Sequence, residues 1–340
     1  MTTTRKAPSM TPSSPLRRFR SLMALTALLT TPLAQAQTTL SMSSDYEPDT
    51  LMGQRAAEFS QEVTRQSDGD LALTLRSDIR SASHLQATSA GVIDIAATLS
   101  GALAEEIPFF GISSLPAIAY NLKEANRLYQ LAKPRYRELL EDHHQILLFA
   151  LPWPPSGLWS TRPIADGDDL KDMPIRTYDR NTQRILLNLG ADPRVMSWGE
   201  LKPLLEAGSI HGALTSAMGG VSAELYRYMP NFTTLNYAMP LNIVHMNRDS
   251  FDRLDKRQQT ALLAAAKATE ENAWASAEAV LAEAYTTLQA NGARLITPAP
   301  PALHRDLEAA SQHVFDSWRQ KVSRQDGNLL EEYLESRPER

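Results

Sequence analysis

An uninterrupted helical pattern runs from Gln258 to about Asn291 and stops at Gly292. At 1.5 Å per residue, such a helix is roughly 50 Å long, which exceeds the diameter of one small domain. Its charged residues exclude a membrane span, and its apolar positions are mostly alanine, which makes a poor coiled-coil seam. The pattern therefore predicts a helix that braces two lobes. Asp255, three residues before Gln258, predicts a capping box at the start of this helix.

The chain before this helix alternates between strand-like and helix-like segments, an order that predicts an α/β protein with parallel β/α construction. Gln145–Leu151 is a nearly continuous apolar run, as expected of a fully buried parallel strand. The prolines of Pro152–Gly157 remove backbone donors, so this segment is expected to break the strand and form the first crossing between lobes. At the other end, the charged segment after Arg324 is expected to be frayed.

The first 36 residues have the pattern of an export leader. This segment contains five basic residues and no acidic ones, and all five come before an apolar run from Leu22 to Leu33. Ala34–Ala36 then forms an A-x-A ending. This arrangement predicts a secretory signal peptide cleaved after Ala36 and a periplasmic product. The apolar run is short for a membrane anchor. The pair Arg17-Arg18 leaves twin-arginine export as an alternative, although the residues after it fit that signal poorly.

The charge balance and the absence of cysteine exclude several classes of function. Without the five basic residues of the leader, 29 basic residues face 39 acidic ones, a net charge of −10. An acidic chain with no Lys/Arg tract is not expected to bind nucleic acid, because that binding depends on phosphate neutralisation. The sequence contains no cysteine, which excludes disulfides, thiolate metal sites and cysteine nucleophiles.

No enzyme motif is present in the sequence. It lacks G-x-S-x-G, H-E-x-x-H and the glycine-rich loops that hold phosphates. The adjacent pair His143-His144 points in two directions and is expected at a solvated helix end rather than in a metal site. We therefore expect no catalytic residue, metal or cofactor. Carboxylates that lie apart in sequence can still meet in a fold, which leaves a secreted enzyme as an alternative.

A series of short motifs, in a fixed order, extends over nearly the whole chain after the leader. They are Phe59–Gly69, Gly91–Ile95, Leu115-Pro116, Trp159–Ile164, Asp169–Arg176, Gly190–Pro193, Ser197–Leu201 and Leu204–Gly212. Together they resemble the substrate-binding subunit of tripartite ATP-independent periplasmic (TRAP) transporters, the DctP family.

The resemblance implies a two-lobed fold like that of type II periplasmic binding proteins, with a ligand cleft between the lobes and a long helix spanning both. The expected boundaries are a leader at 1–36, lobe I at 37–153 with 243–281, lobe II at 154–242 with 282–330, and a tail at 331–340. The expected ligand is a small organic acid, the expected partners are the membrane permease subunits, and a monomer is the default. A secreted enzyme or a ligand-sensing receptor on the same scaffold stays open.

The family holds its carboxylate ligands with one arginine on a strand of the second lobe, and Arg176 is the matching residue here. Guanidinium donors match the two oxygens of a carboxylate, and this pairing discriminates strongly inside a closed cleft. The alternative for Arg176 is a surface ion pair at a strand end.

The resemblance also indicates five further residues. Trp198 matches an aromatic residue that lies against the ligand, although packing in the core is the alternative role for a tryptophan. Thr215 and Ser216 stand where the family often has a polar residue, frequently asparagine. Asp45 and Tyr46 occupy the matching edge of the first lobe, with a role as turn residues as the alternative.

One departure from the family pattern concerns the ligand class. Some acidic-sugar receptors of the family carry a second arginine in the segment before Arg162, and the corresponding residue here is Ser156. Trp153 and Trp159 make its surroundings bulky and apolar. A monocarboxylate, a 2-oxo acid or an aromatic acid is therefore expected rather than a highly polar sugar acid.

Overall fold

A computed structural model describes residues 37–337, so the expected leader at 1–36 lies outside the described residues. The described chain is built on two mixed β-sheets covered by helices. The first sheet contains β1 (Thr38–Ser44), β2 (Leu71–Arg76), β3 (Ile95–Leu99), β4 (Gln145–Pro152) and β10 (Leu241–Asn247). The second sheet contains β5 (Ser156–Ser160), β6 (Pro174–Thr177), β7 (Asp192–Val195), β8 (Gly212–Ser216), β9 (Asn231–Thr233) and β11 (Arg294–Ile296).

The helices occupy most of the intervening chain. They are α1 (Leu51–Gln66), α2 (Ser81–Ser89), α3 (Ser100–Leu103), α4 (Leu122–Glu141), α5 (Arg180–Asn188), α6 (Trp198–Glu206), α7 (Ala217–Ser222), α8 (Arg248–Asp252), α9 (Lys256–Ala290), α10 (Pro301–Lys321) and α11 (Arg324–Glu335). Within residues 37–337, no helix combines the length and the hydrophobicity needed to cross a bilayer.

In each sheet, one strand runs antiparallel to both of its neighbours, and the other strands share one direction. The first sheet has the order β2-β1-β3-β10-β4, and β10 runs antiparallel to both β3 and β4. The second has the order β11-β9-β5-β8-β6-β7, and β5 runs antiparallel to both β8 and β9. The segments 153–155 and 234–240 link the two sheets. The predicted crossing is therefore shorter than Pro152–Gly157, because Pro152 still belongs to β4 and Ser156 begins β5.

Helix α9 confirms the prediction of one long helix. Its N-terminal half packs in the core of the first sheet through residues such as Leu262, and its C-terminal half packs in the core of the second through Leu288. The predicted capping box is also present: the backbone N of Gln258 donates to Asp255 Oδ1 (2.8 Å), and the backbone N of Asp255 donates to Gln258 Oε1 (3.2 Å). Alanine-rich faces let this helix contact both cores without bulky side chains.

The prediction of parallel pairing for the apolar run Gln145–Leu151 is wrong. This run forms β4, which lies at the edge of the first sheet and pairs antiparallel with β10. Its side chains are nevertheless buried on both faces, because the core of the first sheet takes Phe149 while a second cluster takes Leu147 and Ala150. Continuous hydrophobicity reports that both faces are covered, and it does not report strand direction.

The prediction of a frayed segment after Arg324 is also wrong for the described residues. Ser323 caps α11 with a capping box involving Asp326, and Arg135 Nε donates to Asp326 Oδ1 (2.7 Å). Tyr333 is fully buried, and its hydroxyl donates to the carbonyl oxygen of Ile118 (3.3 Å). A buried aromatic residue and a partly buried ion pair hold this charged amphipathic helix against the fold, although its composition resembles that of a loose terminus.

Candidate ligand-binding site

A cleft of about 520 Å³, open mouth included, lies where side chains from the two sheets meet. The lining comes from the ends of several strands and the loops that follow them, as is usual for ligand sites in α/β folds. The lining residues are Tyr46, Thr50, Leu51, Leu99, Trp153, Pro154, Ser156, Arg176, Tyr178, Trp198, Thr215, Ser216, Gly219, Ser222 and Pro240.

Arg176 provides the buried positive charge of this cleft. It lies on β6 and is only 5% exposed. Its Nη1 donates to the carbonyl oxygen of Leu214 (3.3 Å) and its Nη2 to that of Met196 (3.2 Å), which aligns the guanidinium between two neighbouring strands. Its Nε is buried and has no hydrogen-bond partner among residues 37–337. The side chain is therefore held in place but not fully satisfied.

No carboxylate between residues 37 and 337 lies within ion-pair distance of Arg176. Burial lowers the pKa of Arg176 to about 10, while the nearby Tyr46, Tyr178 and Asp179 act in the opposite direction. The side chain therefore stays charged at neutral pH. A buried guanidinium without a protein counter-charge is costly, and an anionic ligand would compensate that cost.

Trp198 covers one side of the guanidinium. It is the first residue of α6, and the capping box of Ser197 and Glu200 fixes the start of this helix. The Arg176 guanidinium carbon lies 5.5 Å from the centroid of the Trp198 ring. A cation over an indole face is attracted electrostatically, and the ring also excludes water. Trp198 and Arg176 therefore lie together in the cleft lining, and the role of Trp198 against a ligand stays a prediction.

An aromatic pair forms another wall of the cleft. Tyr46 follows β1 and Trp153 follows β4, and their ring centroids lie 5.3 Å apart with planes tilted by 55°. Burial raises the pKa of the Tyr46 hydroxyl above its ordinary value, so this group stays neutral at physiological pH. The aromatic wall is apolar in the main, with one hydroxyl and one indole N–H as polar groups.

Hydroxyl groups lie beside the guanidinium on the second sheet. Ser156 on β5 pairs with Ser216 on β8, and Thr215 precedes Ser216. The Ser156 hydroxyl donates to the Tyr178 hydroxyl (3.3 Å), whereas the Ser216 hydroxyl accepts from the backbone N of Gly219 and caps α7. Ser156 and Ser216 therefore each already make one hydrogen bond within the described chain.

Two residues predicted for the site do not line the cleft. Trp159 is fully buried in the core of the second sheet, where its ring packs on Phe232 with 4.8 Å between centroids. It lies three residues after Ser156 on β5, and an odd offset places the two side chains on opposite faces of the sheet. Asp45 is half-buried beside Arg80, and burial raises the pKa of its carboxyl group.

Trp159 touches the far side of the cleft wall. A Cβ added at Gly220 of α7 would lie 1.9 Å from Trp159 Cζ2, so only glycine permits this close approach. The same short helix carries Gly219 and Ser222 into the cleft lining. Trp159 therefore positions a wall that it does not itself form.

Several lining residues were absent from the sequence predictions. Tyr178 lies two positions after Arg176, so strand periodicity alone would have placed both side chains on one face. Thr50 and Leu51 begin α1 after the loop that contains Tyr46, and Gly219 and Ser222 extend the segment after Ser216; no motif marked them. Within the described residues, no group of three or more histidine and acidic side chains is arranged to hold a metal ion.

Comparison with known proteins agrees with this geometry. The family described as "Bacterial extracellular solute-binding protein, family 7" (DctP) matches residues 42–321. The uncharacterized protein YiiZ of Salmonella typhimurium is 28% identical over 236 residues, covering 64% of this chain and 69% of that protein.

Two solved structures from Bordetella pertussis are similar to this chain, and both are extracytoplasmic solute receptors that bind pyroglutamic acid. DctP7 has a TM-score of 0.84 and 27% identity, covering 87% of this chain and 99% of its own. DctP6 has a TM-score of 0.84 and 26% identity, covering 88% of this chain and 100% of its own. The family match covers well over half of the chain. The protein therefore belongs to the DctP family and is a two-lobed, extracytoplasmic solute-binding protein of the kind that serves TRAP transporters.

Proposed function

We propose that this receptor binds a small monocarboxylate through Arg176, with pyroglutamate as the first candidate, and delivers it to the TRAP permease subunits. The observation that carries this proposal is a buried guanidinium that meets no carboxylate among residues 37–337. A ligand carboxylate supplies the missing charge and accepts the parallel donors of the guanidinium. Closure of the two lobes over the ligand removes both charges from water together.

The composition of the cleft supports one carboxylate rather than several. Arg176 is the single Lys or Arg side chain among the lining residues, and most of the others are aromatic or aliphatic. A dicarboxylate or a sugar acid would leave a second charge or several hydroxyls facing these apolar walls. Pyroglutamate carries one carboxylate on a compact ring, and two relatives above 25% identity bind it.

Calorimetric titration of ligand-free protein with L-pyroglutamate tests the proposal. Arg176→Ala should weaken binding at least 100-fold, because an unpaired ligand carboxylate in an apolar cleft is strongly unfavourable. Arg194→Ala is the matched control: Arg194 pairs with Arg176 in register on β7 but is exposed and forms its ion pair with Asp192 (2.8 Å). Retained affinity in Arg176→Ala, or equal losses in both variants, would reject Arg176 as the carboxylate site.

The location, the lobes and the absence of turnover belong to the same proposal. Export should remove residues 1–36, which N-terminal sequencing of protein recovered from the periplasm would detect. The lobes are proposed as 37–153 with 243–281 and 154–242 with 282–330, acting as a monomer. A receptor releases its ligand unchanged, so conversion of pyroglutamate during prolonged incubation would favour an enzyme instead.

A further inference from the structure

Two of the side chains that line the cleft have a buried polar atom without a partner in the described chain. They are Arg176, through Nε, and Trp153, through Nε1. Both atoms are N–H donors, and no Asp or Glu lines the cleft. The hydroxyls of Ser156 and Tyr178 bond to each other, and Ser216 accepts from a backbone N–H. The cleft therefore has a surplus of donors at two places.

The two donors have different requirements. The guanidinium can use several N–H groups on one carboxylate, as proposed above. The indole Nε1–H donates only one hydrogen bond and cannot rotate independently of its ring. Leaving such a donor buried and unpaired is unfavourable, because it loses its hydrogen bond to water and gains none in return. An acceptor from outside the chain would remove this cost when it enters the cleft.

The position of Trp153 is set by the backbone and by one neighbour. Its backbone N donates to the carbonyl oxygen of Pro240 (3.0 Å), and prolines precede and follow it, which restricts the backbone of this segment. Its ring packs against Tyr46, and Tyr46 in turn is close enough to Arg176 to affect the pKa of the guanidinium. Trp153 and Arg176 are therefore both close to Tyr46.

We infer that Trp153 determines specificity by donating its Nε1–H to a second acceptor on the bound acid, a carbonyl or equivalent oxygen apart from the carboxylate. This inference rests on the proposed function, because the carboxylate at Arg176 sets the orientation of the acid. The chemical class that satisfies both donors is a small monocarboxylate with one uncharged carbonyl oxygen, such as a lactam acid or an oxo acid. An acid of the same size without that oxygen leaves the indole N–H unpaired.

The test uses two pairs of acids: the members of the open-chain pair differ only in the carbonyl oxygen, whereas those of the cyclic pair differ in the ring N–H as well. L-Pyroglutamate is compared with cyclopentanecarboxylate, and 2-oxopentanoate with pentanoate. Each is titrated into wild-type protein, Trp153→Phe and Trp198→Phe. Phenylalanine keeps an aromatic ring and removes the N–H, and Trp198→Phe controls for the loss of indole area, since Trp198 Nε1 is not among the buried unpaired atoms.

We expect wild-type protein to prefer the carbonyl-bearing acid of at least one pair by tenfold or more, and Trp153→Phe to reduce that preference to about twofold. Trp198→Phe should weaken both members of the pair equally and preserve the preference. The indole N–H resonance that disappears in Trp153→Phe should also move on addition of the preferred acid to the wild type.

Three outcomes would overturn the inference. One is equal affinity of the wild type for both members of each pair, and another is a preference that survives in Trp153→Phe. In either case, loss of binding in Arg176→Ala would leave the carboxylate proposal intact. The third is a wild-type protein that binds none of the four acids at millimolar concentration, which would overturn the carboxylate proposal as well.

Discussion

Two groups of buried polar side chains in this molecule differ in whether they have hydrogen-bond partners. In the first sheet, His84 Nδ1 lies 2.9 Å from Thr98 Oγ1, and Thr98 Oγ1 lies 2.8 Å from His245 Nε2. The chain of contacts continues from His245 Nδ1 to the amide oxygen of Gln145 and from His84 Nε2 to Ser43 Oγ (3.1 Å). All five side chains are fully buried, and each has a partner.

The cleft shows the reverse arrangement. Arg176 is almost as deeply buried as this network, yet within the described chain it forms no ion pair, and Trp153 Nε1 has no hydrogen-bond partner there. A network of hydrogen-bonded groups stabilises the fold without a ligand, whereas unpaired donors can form their hydrogen bonds only when a ligand binds. The contrast distinguishes polar groups that stabilise the fold from polar groups available to a ligand. The network of His84, Thr98 and His245 can therefore serve as an internal control for substitutions in the cleft.

The largest change in the free energy of unfolding should come from protonating the two histidines of the network, His84 and His245. Burial lowers the pKa of His84 to about 4 and that of His245 to about 3, whereas an unfolded histidine titrates near 6.5. The folded state therefore requires neutral rings: their contribution is complete above pH ~6.5 and is lost as the pH falls towards the folded pKa values. From pH 7.5 to pH 5, the free energy of unfolding should fall by about 2 kcal/mol per histidine.

Urea unfolding at the two pH values measures this loss. The double variant His84→Gln, His245→Gln should show a clearly smaller pH dependence, although its stability at pH 7.5 is lower. An unchanged pH dependence in this variant would show that the two histidines do not need to be neutral in the fold. Arg176, with a pKa of about 10, stays charged over the whole interval and contributes nothing to it.

The next effect separates a partnered hydroxyl from an unpartnered one. Thr98→Val removes the hydroxyl that connects the two histidines and leaves a ring nitrogen of each unpaired, which should cost about 2–4 kcal/mol of unfolding free energy. Thr177→Val is the matched control, because Thr177 is equally buried but its hydroxyl has no partner. That variant should be as stable as the wild type, and equal losses in both would remove the distinction between the two groups.

A smaller effect of opposite sign should follow from Arg176→Met in the ligand-free protein. Methionine fills similar volume without bringing a charge into the cleft, so the free energy of unfolding should rise by about 1–2 kcal/mol even though the affinity for acids collapses. Denaturant titration without ligand checks this sign. A large loss of stability would mean that Arg176 is structural in the same sense as the network.

The smallest effect concerns a contact at the edge of the cleft. Arg80 follows β2 of the first sheet, and its Nη1 donates to Ser197 Oγ (2.8 Å) and lies 3.7 Å from Glu200 Oε2, beside α6 of the second sheet. These groups are exposed, so Arg80→Gln should weaken acid binding only about two- to fourfold. Wild-type affinity should decrease with added salt more than that of the variant, and identical salt dependence would count against a role in closure.

The sequence predicted the features that follow from long or local patterns. The length of α9 and its capping box depend on residues within one segment, and both agree with the structure. The ordered motifs placed Arg176, Trp198 and the hydroxyls of Thr215 and Ser216 in one cleft with Tyr46, Trp153 and Ser156. Their roles towards a ligand stay predictions.

The predictions that were wrong concern features that depend on partners distant in sequence. The antiparallel pairing of β4 depends on β10, about 100 residues later, and the docking of α11 depends on Arg135 and the backbone near Ile118. The position of Trp159 failed for a different reason. An odd offset along a strand reverses the face, and grouping Trp159 with Trp153 by composition ignored that rule.

The contact between Trp159 and Gly220 has a consequence for how the pocket can change. Since the indole presses on α7 from behind, the depth of the ligand chamber depends on a side chain that no solute touches. A smaller residue at position 159 would let the wall retreat and admit a longer acid, and any side chain at position 220 would push the wall forward. Substitutions at positions 159 and 220 could thus change the range of solutes that fit, while the residues that face the solute stay the same.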